Sequence, residues 1–321
     1  MRLTYRQIEY LRAVSREESI AAACKVLSIS QSSVLAAIDV AEDTASTRLF
    51  HRRKGHGMTL TPSGRKFMIS AQRFLAAGEE FERSINGFAE KETDVIRIGC
   101  FSPFGALIIP PVLKHYIEKH GHTEIILKEG DQVELRNWLS VSEVDMIITY
   151  DIGEEFGSEI TPICKFPAHA LLHWSDPFVE TGSISMKEIA KKPFVLLDLP
   201  ETRAYLLALF DLIATRPQIA LRTRSYETVR SSVAHGHGAS ILNIRPIKAS
   251  PDTADIRRVP ISDKLQQPTL LVADPYGNRK PRHVRDFILT LYEYFEGLGP
   301  RGFAVSLPEH SSDLLYPRPR F

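Results

Sequence analysis

Arg48, Arg52, Arg53 and Lys54 gather beside His51 and His56, while the acidic side chains Glu79, Glu80 and Glu82 fall on a separate segment. Clustered guanidinium and ammonium groups offer many N–H donors to anionic oxygens, so this short stretch suits contact with phosphates. Just upstream, Ser30, Gln31, Ser32 and Ser33 line up hydroxyl and amide groups of the kind that meet base edges or phosphates. A second set of polar residues punctuates the C-terminal two-thirds: Ser102, Pro103 and Phe104; Asp131 and Gln132; Asp198 to Arg203; Ser225 and Tyr226. That mixture suits a small polar or carboxylated molecule, with Arg203 as a carboxylate partner and Phe104 and Tyr226 as apolar contacts. Ser102, Thr202 and Ser225 serve equally well as helix caps.

Covalent chemistry finds no such support. The chain has no GxSxG, HExxH or GxxxxGK[ST] motif and no GxGxxG between a strand and a helix. His120-Gly121-His122 and His235-Gly236-His237 sit near expected helix ends, where capping explains them better than a metal does. Cys24, Cys100 and Cys164 are far apart and form no ligand spacing, which argues against zinc or disulfides and fits a reducing cytoplasm. The N-terminus is charged throughout, and no run is long and apolar enough to span a bilayer. The expectation is therefore no catalytic residue, cofactor, metal or membrane. A formal charge of +1 with 43% hydrophobic residues is ordinary for a globular chain and excludes neither nucleic acid nor small anions.

The elements that must position these groups follow from periodicity. Ile8, Leu11 and Val14 form one helical stripe behind a Thr4 cap, and Ile20, Ala23, Cys24 and Leu27 a second behind Ser19. Ser30 caps a third helix with Val34, Ile38 and Ala41 on its buried face, leaving Gln31, Ser32, Ser33 and Leu35 near its exposed start. Two short helices joined by a tight turn make a candidate helix-turn-helix. The run from Leu49 to Thr61 then reads as strand, glycine turn and strand, a cationic wing suited to backbone contacts that position a reading helix. Thr61-Pro62 starts a long helix, on which Phe67, Ala71, Phe74, Gly78, Phe81, Ile85 and Phe88 alternate steps of four and three. Such a seam predicts pairing with a second copy, weakened at Gly78.

Beyond Thr93, short β-rich runs at 95–100, 123–128, 144–150, 169–174, 194–197, 218–223, 239–244 and 269–273 alternate with helical runs at 107–119, 134–139, 203–214, 227–234 and 284–295. This pattern predicts parallel α/β sheets in two subdomains, and ligands of such sheets bind past the carboxyl ends of the strands. The boundaries expected are 1–62 for a winged helix-turn-helix and 63–92 for a linker helix. A ligand-binding domain should fill 93–299, with one subdomain at 93–164 and 268–299 and the other at 165–267. Residues 300–321 form a Pro-containing extension.

The stretch from Gln7-Ile8 through Ala21-Ala22-Ala23, Leu27, Ser30-Gln31-Ser32, Ile38, Glu42, Leu49-Phe50, Arg52, Leu60-Thr61 and Gly64 resembles the helix-turn-helix and wing of LysR-type transcriptional regulators. IRIGCFSPFGALIIPPVL, SYETVRSSVAHGHGASILNIRP and PRHVRDFILTLYEYF are similar to that family's sensor domain. The resemblance implies a regulator that binds promoter DNA and answers to a small-molecule effector held between two subdomains of periplasmic-binding-protein type. It also implies self-association as homodimers or a homotetramer. By position it places Ser30, Gln31, Ser32 and Ser33 at DNA, Arg52 and Arg53 at its backbone, and Ser102 with Thr202 in the cleft. The chain departs from the family at Leu35-Ala36-Ala37, where polar or basic residues are usual, and at Ala45 and Ser46. A competing reading is a small-molecule receptor whose N-terminal helices only dimerise.

Overall fold

The structure is a computed structural model and describes residues 3–53, 57–86, 95–156, 159–247, 255–277, 279–311 and 313–321. Lys54 and Phe88, and the side chains of Arg52, Arg53 and Ile85, lie outside what is described.

Helix α1 (Tyr5–Glu17) begins with a capping box between Thr4 and Gln7. Helices α2 (Ile20–Leu27) and α3 (Gln31–Ala45) start at Ser19 and Ser30, each hydroxyl accepting an N–H from the first turn. Leu11, Val14, Val34, Ile38 and Ala41 meet in one core with Leu49 and Phe50, so the predicted stripes do face inward together. Strands β1 (Phe50–Arg53) and β2 (Gly57–Leu60) pair antiparallel as the wing. Gly57 has φ +80°, and a Cβ there would stand 2.2 Å from the Glu18 carbonyl oxygen, which accepts the Met58 N–H at 2.7 Å. The wing is thus pinned to the end of α1.

Helix α4 (Pro62–Asn86) differs from the expected seam. Ala71 is buried and Phe67 packs in the chain's own N-terminal core, beside Met68 and Leu75. Gly78 admits the Tyr5 ring, which an added Cβ would meet at 2.3 Å. Only further along does the stripe open outward, with Phe74 37% and Phe81 65% exposed. The periodicity was real, but its first half serves intramolecular packing.

Among the described residues, the remaining chain forms three sheets in two subdomains. The first subdomain contains β3 (Val95–Phe101), α5 (Ser102–Leu107), α6 (Ile109–His120), β4 (Glu124–Gly130), α7 (Gln132–Ser140), β5 (Met146–Tyr150) and β6 (Glu159–Lys165). The second contains β7 (His169–His173), α8 (Met186–Ala190), β8 (Phe194–Leu197), α9 (Pro200–Asp211), β9 (Ile219–Thr223), α10 (Tyr226–Ala234), β10 (Ser240–Leu242) and β11 (Ile256–Pro260). The chain then returns to the first subdomain through β12 (Thr269–Asp274) and α11 (Arg282–Leu298), followed by α12 (Pro300–Phe303). Strand order in the first sheet is β4-β3-β5-β12-β6, with β3 parallel to β4 and β5 but β12 antiparallel to β5 and β6. In the second subdomain β7 lies antiparallel between β10 and β11, while β8 and β9 run parallel. The expected wholly parallel sheets are therefore mixed, because the returning strand enters against the direction of its neighbours. The helix expected at 107–119 is α6, which starts at Ile109 with Pro110 and Pro111 in its first turn, and the short helix α5 that precedes it was not expected.

The C-terminal extension is part of this architecture. Lys165 N–H donates to Leu314 O at 2.7 Å and Tyr316 N–H to Ile163 O at 3.0 Å, so the tail lines the outer edge of β6. Phe303 is buried with its ring 5.5 Å from Phe166 and 5.3 Å from Phe295.

Candidate functional site

On α3 the inward residues are Val34, Ala37, Ile38 and Ala41, which leaves Gln31, Ser32, Ser33, Leu35 and Ala36 exposed on and after the first turn. Ser30 Oγ accepts the Ser33 N–H at 3.2 Å and lies 2.8 Å from Ser32 Oγ, so three hydroxyls share one corner. The outward face of α3 carries no cation. Positive charge must come from its surroundings, where Lys25, Arg48, Arg65 and Lys66 are all exposed.

Glu42, buried near the end of α3, fixes the wing relative to that face. Its carboxylate accepts N–H groups from Leu49 at 2.8 Å and Phe50 at 3.1 Å and a 2.7 Å bond from Arg48. Burial raises the carboxyl pKa, but the two backbone N–H groups and Arg48 outweigh it and hold Glu42 below the ordinary range. Its role was invisible to periodicity, since a charged residue on a helix reads as solvated.

The cleft between the subdomains is nearly shut. It retains a cavity of ≈ 20 Å³ among Pro103, Tyr150, Thr202, Tyr226 and Asn243, space for no more than about one water. Gln132 is fully buried beside it, with Nε2 3.4 Å from Thr202 Oγ1 across the gap and Oε1 bonded to nothing. Asp131 caps α7 through the Val133 and Glu134 N–H groups and receives Arg224 Nη2 at 3.0 Å. Ser102 opens α5, while Leu199 and Pro200 form the start of α9.

Two expected contacts fall elsewhere. Phe104 is fully buried in the core, edge-on to Tyr150 at 4.8 Å and to Phe101 at 5.3 Å, so it supports the cleft without lining it. Arg203 is 46% exposed and gives Nη1 to Asp198 at 2.9 Å, which spends its charge on a neighbour. Glu201, one of the polar residues expected past a strand end, makes an ion pair across the gap with Arg136, which the sequence did not single out. Arg136 on α7 meets Glu201 on α9 through both guanidinium nitrogens, Nη1 at 2.9 Å from Oε2, and Nη1 also lies 3.4 Å from the Glu154 carbonyl. Both side chains are mostly buried, so this pair latches one subdomain to the other.

His235 is the C-cap of α10, its Nδ1 2.8 Å from Ser231 O, and Gly121 caps α6. Cys24, Cys100 and Cys164 are free and buried.

Comparison with known proteins gives this arrangement a family. Residues 5–65 match the bacterial regulatory helix-turn-helix protein, lysR family, and residues 89–296 match the LysR substrate binding domain. The uncharacterized HTH-type transcriptional regulator YcgK of Bacillus subtilis (strain 168) is 27% identical over 255 residues, 73% of this chain and 78% of its own length. The transcriptional dual regulator GltC of the same organism is 20% identical over 298 residues, 91% of this chain and 98% of its own. Among solved structures, HinK, a LysR family transcriptional regulator from Pseudomonas aeruginosa, has a TM-score of 0.58 at 27% identity and covers 91% of this chain and 98% of that one. A variant of full-length OxyR from Pseudomonas aeruginosa, 20% identical with 91% and 95% coverage, shares the fold at a TM-score of 0.69. The chain belongs to the LysR family of transcriptional regulators: a DNA-binding helix-turn-helix joined to an effector-binding domain, and not an enzyme.

Proposed function

We propose that the exposed first turn of α3 enters the major groove of promoter DNA, with Gln31, Ser32 and Ser33 at base edges and Leu35 against a thymine methyl. Ser30 orders that turn, and Arg52, Arg53 and Lys54 meet the phosphate backbone. The observation that carries this reading is the polarity of α3: its apolar side is spent in the core, while its capped, hydroxyl-bearing start stands free beside a wing. Effector binding takes place between the subdomains, at Ser102, Pro103, Asp131, Gln132, Leu199, Pro200, Thr202 and Tyr226, and favours a small carboxylate. Phe74 and Phe81 contribute to a homodimer, two of which form a homotetramer in the cytoplasm. Fluorescence anisotropy with duplex from upstream of the protein's own gene tests the DNA reading. Binding should exceed that of random duplex and fall steeply with salt, as expected when cationic side chains displace counterions. Equal binding to both duplexes at moderate salt would refute it.

A further inference from the structure

The second subdomain holds a cationic cluster in which some buried guanidinium donors have no acceptor among the described residues. In the β10-β7-β11 sheet, His169 stands opposite Leu242 and Pro260, and Arg258 opposite Leu171. Alternate residues of a strand share a face, so Arg258 and His169 project from the same side of the sheet as diagonal neighbours. Helix α10 packs over β7 and β11, with Tyr226 at its start and the Tyr226 hydroxyl donating to Ile244 O at 3.3 Å. Arg245 comes next in the chain, tethered by Nη2 to the Arg301 and Gly302 carbonyls of the C-terminal extension.

Several donors of this group are buried with no hydrogen-bond acceptor among the described residues, Nε and Nη2 of Arg258 and Nε of Arg245, although Arg258 also hydrogen-bonds the Tyr226 hydroxyl. The fully buried His169 ring lies among them, against the Pro167 backbone carbonyl. The two guanidinium groups repel: burial lowers the Arg245 pKa, and the Arg258 charge lowers it further. His169 is held neutral, with a pKa of about 3, by burial first and then by Arg258, while the Pro167 carbonyl pulls it up and Arg245 lowers it a little further. Leaving charged donors buried and unmade is costly, and two like charges side by side add to that cost. An anion would satisfy these donors. Its shape follows from which nitrogens are vacant, because Nε and one terminal nitrogen form the guanidinium edge whose parallel N–H groups match the two oxygens of a carboxylate.

We propose that Arg258, supported by Arg245, is a carboxylate-binding site within the second subdomain and receives the acid group of the effector that the preceding reading places between the subdomains. It rests on that reading only in giving both regions the same ligand. Tyr226 connects them, since it lines the cleft cavity and shares its other side with Arg258. Arg203 is half in solvent and already paired, whereas the Nε and Nη2 donors of Arg258 are buried and unpaired. Entry requires the closed subdomains to part.

The test is a melting-temperature series on the full chain with acetate and benzoate, and with benzamide as a neutral isostere, at constant ionic strength. Ligands that bind only the folded state raise its melting temperature. The carboxylates should give a shift and benzamide none. Arg258→Gln should erase the shift, Arg203→Gln should keep it, and Arg258→Lys, with the charge but not the fork, should weaken apparent affinity tenfold or more. Without ligand, Arg258→Gln should melt no lower than the parent, because it removes an unpaired charge; a clear drop would mean that this guanidinium is already satisfied and would overturn the proposal. Persistence of the shift in Arg258→Gln, or its loss in Arg203→Gln, would do the same. If neither carboxylate acts on the parent chain, the carboxylate site is refuted, while a neutral effector in the cleft and binding to upstream duplex remain separately measurable.

Discussion

Replacing Glu42 with alanine separates the wing from the helix it accompanies. The parent carboxylate satisfies the N–H groups of Leu49 and Phe50, both buried residues, and meets the largely exposed Arg48. Its removal orphans two buried donors at about 1–3 kcal/mol each, whereas the exposed arginine pair adds little. A local loss of about 3–4 kcal/mol is expected, equivalent to more than a hundredfold faster exchange at those amides when exchange proceeds through local opening. Hydrogen exchange over residues 46–61 in the full chain reads this directly. Glu42→Gln retains an acceptor oxygen and should lose about half as much. Because the folded pKa is depressed, the carboxylate's contribution is complete above the ordinary value of 4.5 and fades as pH falls through the lowered one. Unchanged protection of the Leu49 and Phe50 amides in Glu42→Ala would refute the reasoning.

Phe303→Ala should cost the sensor domain about 3–5 kcal/mol in urea denaturation followed by Trp138 and Trp174 fluorescence; no loss would show that the extension is not part of the core. His169 is a base with a depressed folded pKa, so an unfolded chain takes up its proton first. Stability should be complete above about pH 6.5 and decline towards about pH 3, by at most about 5 kcal/mol from this group, and His169→Leu should flatten that slope. Glu201→Gln should weaken the latch by about 1–3 kcal/mol and lengthen the electron–electron resonance distance between spin labels placed one in each subdomain; an unchanged distance would remove Arg136–Glu201 as the closing contact.

What the sequence disclosed was whatever local spacing controls. Thr4, Ser19 and Ser30 begin their helices as expected because capping depends on a hydroxyl and the N–H groups of the next turn. Strand β6 escaped notice because it contains Pro162, tolerated where the pairing with β12 shifts register, and β11 because Arg257 and Arg258 interrupt its apolar character. The phenylalanine seam of α4 had the right period, but periodicity cannot tell whether a stripe faces its own core or another chain. Phe104 follows a strand end where ligand-facing residues belong, yet aromatic packing with Tyr150 turns it inward. Arg136 and Glu201 are 65 residues apart, so only the folded chain brings them together.

The central claim is that the start of α3 meets duplex DNA. A photo-crosslinking side chain placed at Ser32, which is exposed, should form an adduct with upstream duplex, while the same group at Glu118, exposed on α6, should not. Adducts from Glu118 with none from Ser32 would contradict the account.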